Sequence, residues 1–186
     1  MISIFFFSLI AAYYLSLAGL FLQHPNKSIY SLPIFGSIIL SFLALLINFF
    51  IALDSTTNSI IFFLIVSFGT YYLIVIKKLK KVILSSLLIG TICTLILTLD
   101  TINRPDGSLY HLPYTKILND NKIIFGIANI HFRFGHTSII QYLNAIFFNI
   151  IFKENGILIP AAAIFSSFFL FCLNELKKNI ETDKIL

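Results

Sequence analysis

Long apolar runs separated by short polar interruptions dominate the chain, and their period is far longer than that of an amphipathic helix or strand. Five runs stand out, at residues 2–22, 33–53, 59–76, 82–99 and 157–173. Each approaches the roughly 20 apolar residues with which a helix crosses the hydrocarbon core of a bilayer. The runs are continuous rather than alternating, which argues against a transmembrane β-barrel. They predict an all-α, polytopic helical membrane protein with about five transmembrane helices and one or two interfacial helices in a long exterior loop.

The interruptions predict how the spans are arranged. Residues 1–99 read as a four-span bundle, 100–136 as the exterior loop with a short helix at 109–118, and 157–173 as the last transmembrane helix. Residues 174–186 read as a polar tail. Lys77, Lys78, Lys80 and Lys81 crowd the connection between the third and fourth runs. Under the positive-inside rule that connection faces the cytoplasm. The Asp54 turn and the loop at 100–136 then face the periplasm or exterior.

Residues 137–153 are apolar but interrupted by Gln141, Asn144 and Asn149. On a helix at 100° per residue, these and Thr137 share an arc of about 120–140°. The expected element is an amphipathic interfacial helix, with a short sixth span as the alternative. The interfacial choice puts Lys177 and Lys178 on the cytoplasmic side, where the charge rule wants them.

Composition supports this picture. The 186 residues are 58% hydrophobic and 11% charged, which excludes an ordinary soluble domain. The formal net charge of +5 comes mainly from lysines at span ends, so it marks topology rather than nucleic-acid binding. Cys93 and Cys172 lie inside apolar runs, as small buried hydrophobes do. The first run lacks the basic flank and small-residue cleavage site of a signal peptide, and reads as a retained span.

The polar wealth of the chain is concentrated between Asp100 and His136. Both arginines, three of the four histidines and three of the five aspartates fall there. Asp106-Gly107 is a turn signal, and Ser108 can cap the short helix. Asp106 would sit at the mouth of that helix, as a cap or as a general base. Tyr110 and His111 suit the headgroup zone. Downstream, residues 126–136 pack Asn129, His131, Arg133 and His136 together in sequence, and the planar fork of Arg133 matches phosphate oxygens. Lys116 and Lys122 read as solvated loop charges. The spacing of His111, His131 and His136 matches no zinc signature. Ser108 lacks a nucleophile-elbow context. No cofactor is indicated, and a divalent metal is not called for by any ligand pattern.

The pattern Asp106-Gly-Ser-Leu-Tyr110-His111-Leu-Pro, followed by Gly126-Ile-Ala-Asn129-Ile-His131-Phe-Arg133, resembles bacterial polytopic membrane proteins of the GT-C glycosyltransferase type. More closely, it is similar to an uncharacterised group with Asp-x-x-Leu-Tyr-His and Gly-Leu-x-Asn-Leu-His-x-Arg in its first large exterior loop. The resemblance covers residues 106–142; the flanking spans agree only in hydropathy. It implies transfer of a sugar from a polyprenyl-phosphate donor to an envelope glycan or lipid acceptor. Asp106 would activate or orient the acceptor, Tyr110 and His111 would shape the site, Asn129 would join them in binding substrate or phosphate, and Arg133 with His131 would neutralise the lipid phosphate.

Two features depart from that pattern: three further spans precede the acidic loop's own span, and the family's chains are considerably longer. The resemblance therefore implies the N-terminal portion of such an enzyme, completed by further spans or by a second membrane chain. It places the chain in the cytoplasmic (inner) membrane, with lipid as its surroundings and no nucleic-acid partner. The competing expectation is a non-catalytic accessory or scaffold subunit, suggested by the polar stripe of Gln141, Asn144 and Asn149. A transporter is third, disfavoured by the lack of ionisable groups in the spans.

Overall fold

The computed structural model describes residues 2–99, 107–135 and 138–183. Among these the chain is helical without strands: α1 (Ile2–Gly19), α2 (Leu32–Asn48), α3 (Ser55–Val75), α4 (Leu79–Leu99), α5 (Leu112–Asp120), α6 (Ile139–Ile146) and α7 (Ile159–Asp183). Helices α1, α3, α4 and α7 are each long and apolar enough to cross a membrane. At 17 residues α2 is an apolar helix of shorter reach. The chain is thus a helical, membrane-associated protein.

Local chemistry explains the helix ends. The Asp54 carboxylate accepts from the Thr57 N–H at 2.7 Å and opens α3, and Pro33 and Pro113 sit in the first turns of α2 and α5, where a missing N–H costs nothing. Helix α3 closes with Lys77 in the left-handed region (φ 57°). Its N–H reaches the Ile74 carbonyl at 3.0 Å, while that of Lys78 reaches Leu73 at 2.9 Å. This is a Schellman ending with lysine where glycine is usual.

Helix α1 lies at the centre, packed against α2 and α4. Three glycines set the distances. A Cβ on Gly36 would fall 1.8 Å from the Leu15 carbonyl oxygen, one on Gly19 2.0 Å from that of Leu32, and one on Gly90 2.9 Å from the Leu9 Cα. Such backbone-to-backbone approach by small residues is the usual means of joining helices where lipid removes the hydrophobic driving force. Across α1, Tyr13 joins Thr70 of α3 at 2.8 Å. Helix α7 rests on α4, and the Ser167 hydroxyl donates to the Tyr30 carbonyl in the turn before α2.

The elements after α4 differ from expectation in ways that packing explains. The helix expected at 109–118 is α5 at Leu112–Asp120, preceded by a π-helical turn at Gly107–His111. The helix expected over 137–153 is only Ile139–Ile146, and a 3-10 turn follows at Lys153–Ile157. After α6 the chain bends, and Phe147 and Phe152 are both fully buried toward α1 and α3. Phe147 meets Tyr14 at 5.4 Å between ring centroids, and Phe152 meets Phe62 at 5.9 Å and Phe7 at 6.0 Å. The polar stripe is likewise overturned. Gln141 and Asn149 are buried; Gln141 completes a capping box with Ser138, and the Asn149 Oδ1 accepts from the N–H groups of Ile151 and Phe152 at 3.0 and 3.1 Å. The tail expected to be merely polar after residue 173 continues α7 as helix to Asp183.

A buried ring of amides and carbonyls attaches α5 and α6 to the bundle. The Asn58 Nδ2 donates to the carbonyls of Leu53 (2.6 Å), Ala145 (2.9 Å) and Phe148 (2.8 Å). The Asn119 Nδ2 donates to the same Leu53 (2.6 Å) and Ala145 (2.9 Å) carbonyls. Two amide nitrogens and two carbonyl oxygens therefore close a square that joins the α2–α3 turn, α3, α5 and α6. The amide orientation is fixed, because an oxygen turned inward would face only other oxygens. Nearby, the Asn48 Nδ2 donates to Leu118 (3.2 Å) and Asn121 (3.0 Å). The Ile123 N–H returns to the Asn48 carbonyl at 2.8 Å.

Each single substitution, Asn58→Ala or Asn119→Ala, leaves the Leu53 and Ala145 carbonyls with one side-chain amide donor. Each should cost about 1–3 kcal/mol, as a weakened buried polar contact does. The double variant strips the Leu53 carbonyl of both amide donors and leaves that of Ala145 with its backbone donor from Phe148, so its loss should exceed the sum of the singles by about 1 kcal/mol. Equilibrium unfolding of the full chain in detergent reads this coupling; strict additivity would disprove the shared square.

Candidate functional site

Residues 107–135, the described part of the segment between α4 and α6, sit at the end of the bundle where α2 stops and α3 begins, held there by the asparagine ring. Two short turns carry its polar residues. Tyr110 and His111 lie in the π-helical turn Gly107–His111, while Arg133 lies in the 3-10 turn Phe132–Gly135. A second 3-10 turn, Ile127–Asn129, packs against that one and is entered through Gly126 at φ 79°. Glycine is needed there because a side chain at positive φ is strained.

These turns bring the two halves of the sequence pattern together. The Arg133 guanidinium carbon lies 4.7 Å from the centroid of the Tyr110 ring and 5.7 Å from that of Phe132. His131 stacks on Phe132 (5.1 Å, 19° between planes) and tilts against Phe134 at 5.3 Å. Phe134 meets Tyr114 at 5.8 Å, and Tyr110 meets His111 at 4.2 Å. The result is two groups of rings, Tyr114–Phe134–His131–Phe132 and Tyr110–His111, bridged by the Arg133 cation. A cation over an aromatic face contributes about 0.5–1 kcal/mol when exposed and about 2 kcal/mol when desolvated. The Arg133 backbone N–H also donates to the His131 Nδ1 at 3.3 Å.

Of the six residues singled out in the sequence, Tyr110, His111, His131 and Arg133 therefore form one cluster. Asn129 is exposed and stands over Gly126, its Nδ2 3.3 Å from where a Cβ would be; it belongs to the turn rather than to the cluster of rings. Asp106, like His136, lies outside the described residues. Among the described residues, no three His, Cys, Asp or Glu side chains come close enough to hold a metal ion.

Tyr114 and Tyr142 went unnoticed in the sequence. Both are buried, and their hydroxyls are hydrogen-bonded neighbours linking α5 to α6 beneath the cluster. Burial raises the Tyr114 pKa, reinforced by the nearby Tyr142. Burial raises that of Tyr142 as well, partly offset by the hydrogen bond from Tyr114. At the far end of α1, a separate apolar cleft of about 290 Å³ opens between α1 and α3, lined by Leu17, Leu20, Phe21, Phe68, Gly69 and Tyr72. It has no polar chemistry to offer.

The full length of the chain, residues 1–186, matches one family, described as a domain of unknown function (DUF8201). The chain belongs to that family. No curated protein and no solved structure matches it. What the DUF8201 fold provides at this site is thus read from geometry: a guanidinium beside two rings, an imidazole next to it, and a buried tyrosine pair below.

The tyrosine pair gives the site a pH signature. Because folding raises the Tyr114 pKa, the folded state holds its proton more tightly than the unfolded chain does. Its contribution is complete below the ordinary tyrosine pKa of about 10 and is lost as pH rises above that value. Thermal unfolding of the wild type should therefore weaken above about pH 10, and Tyr114→Phe should flatten that decline. An unchanged slope in the variant would show that the pair carries no such linkage.

Proposed function

We propose that this chain is a five-crossing membrane protein whose α5–α6 end faces the exterior of the cytoplasmic membrane. In this reading it resembles the N-terminal part of a GT-C glycosyltransferase, transferring a sugar from a polyprenyl-phosphate donor to an envelope glycan or lipid acceptor. The observation that carries it is the seating of Arg133 over Tyr110, which joins the two halves of the motif at one end of the bundle. The lysine-rich turn between α3 and α4 lies at the opposite end of α3, and the charge rule assigns that end to the cytoplasm.

The chemistry follows from the residue types. A donor dissolved in the bilayer needs no nucleotide-binding loop, only a cation near headgroup depth to balance the phosphate that departs. Arg133 sits beside the Tyr110 and Phe132 rings, and its planar fork matches phosphate oxygens. His131 and His111 flank it and can add hydrogen bonds. Asp106, just ahead of the Tyr110 turn in sequence, would serve as the base that activates or orients the acceptor hydroxyl.

The accessory-subunit reading is the alternative, and the polar stripe bears on it: the Asn144 Oδ1 and the Asn149 Nδ2 are buried without a hydrogen-bond partner among the described residues. Only part of the stripe is paired internally, through Gln141 with Ser138 and the Asn149 Oδ1 with the N–H groups of Ile151 and Phe152.

Membranes from a strain complemented with Asp106→Asn or Arg133→Ala should show glycan transfer from polyprenyl-phosphate donor reduced by about 10²-fold or more, with protein level unchanged. Arg133→Lys should recover only part of the activity, since the ammonium lacks the planar fork. Full transfer by Asp106→Asn would remove the catalytic role of that carboxylate.

A further inference from the structure

We infer that the segment just after α5 forms an apolar foot set into the outer leaflet, built on the end of α2. Ile124, Phe125, Ile130 and Phe132 are 42%, 84%, 75% and 71% exposed, although they belong to no spanning helix. The segment is not loose. Asn48, the last residue of α2, holds the Asn121 carbonyl through its side chain and the Ile123 N–H through its own carbonyl. Those two bonds bring Ile124 and Phe125 to the end of α2, where Phe50 (79%) and Ile51 (51%) are also exposed.

Two observations name the occupant. First, this apolar surface continues the outward face of α2, on which Phe42 and Leu46 are exposed as well. Second, α2 is short for a crossing: its 17 residues at about 1.5 Å each span about 26 Å, against a hydrocarbon core of about 30 Å. The foot supplies the missing apolar height. Lys122 and Arg133 bracket it and fit the phosphate level of the same leaflet. Contiguous exposed apolar surface rimmed by charge marks a membrane or partner contact, and its continuity with α2 assigns it to lipid. The foot would hold the Arg133–Tyr110 cluster at headgroup depth.

This inference rests on the placement of this end of the bundle at a bilayer surface, and not on the transferase chemistry. The chain contains no tryptophan, so Phe125→Trp installs a single reporter at the tip, where little packing is disturbed. Phe63→Trp on the outward face of α3 serves as the lipid-depth control. Both full-length variants are reconstituted in phosphatidylcholine vesicles containing phosphatidylglycerol, with the acyl chains brominated near the glycerol end. For the foot, the emission of the Phe125→Trp variant should be blue-shifted, lose most of its intensity to the bromines and resist aqueous iodide. Quenching by iodide with the control still quenched by bromine overturns the foot while leaving the bundle in the membrane. Protection of the tip from both quenchers also overturns it, assigning the surface to a protein partner or second copy. If neither reporter responds to bromine, the membrane placement itself fails, and the foot with it.

Discussion

The closed square of Asn58, Asn119 and the carbonyls of Leu53 and Ala145 is the constraint on which the rest of the structure depends. A short helix such as α5 or α6, of 9 and 8 residues, has little stability of its own, because the cost of its first turn is spread over few bonds. Burying such helices against the end of an apolar bundle requires that their terminal carbonyls and the carbonyls of the α2–α3 turn find donors away from water. Two primary amides meet that requirement at once. Each presents two N–H groups at fixed angles, and each reaches two chain segments that are far apart in sequence.

The consequences propagate outward. With Ala145 fixed, the chain after α6 can bend, and Asn149 caps the bend so that Phe147 and Phe152 reach Tyr14 and Phe62. With Asn119 fixed, α5 presents Tyr114 toward Tyr142 on one side and Phe134 on the other. Phe134 and its neighbours His131 and Phe132 then set where Arg133 lies relative to Tyr110. The cationic cluster at the surface is thus positioned by a chain of rings whose base is the asparagine square. Its rigidity comes from the bundle although all its members belong to a loop segment.

Some of this was legible residue by residue. The apolar runs announced the long helices, because a segment with nothing polar to solvate can only bury itself or enter lipid. The grouping of Tyr110, His111, His131 and Arg133 was suggested by their concentration between two apolar runs. The roles of Asn48, Asn58 and Asn119 were not. An asparagine at a helix end reads as a cap or turn residue in any sequence, and its acceptors lie as many as 90 residues away for Asn58. Gln141 and Asn149 misled for a related reason: helical periodicity treats a polar residue as outward-facing, whereas a side-chain amide can be buried once it caps backbone groups.

The sequence by itself determined the helical class, the positions of the long apolar helices and the stretch in which cations and imidazoles gather, because hydropathy and charge are local properties that lipid and water read directly. Only the tertiary structure decided that 137–153 breaks after Ile146, that two distant asparagines share two carbonyls, and that Arg133 rests on Tyr110. Those outcomes depend on which donor meets which acceptor across the fold, and on whether an aromatic side chain gains more by filling a gap beside α1 than by extending a helix. Neither quantity is carried by any window of the chain, since both are set by surfaces that exist only once the bundle has assembled.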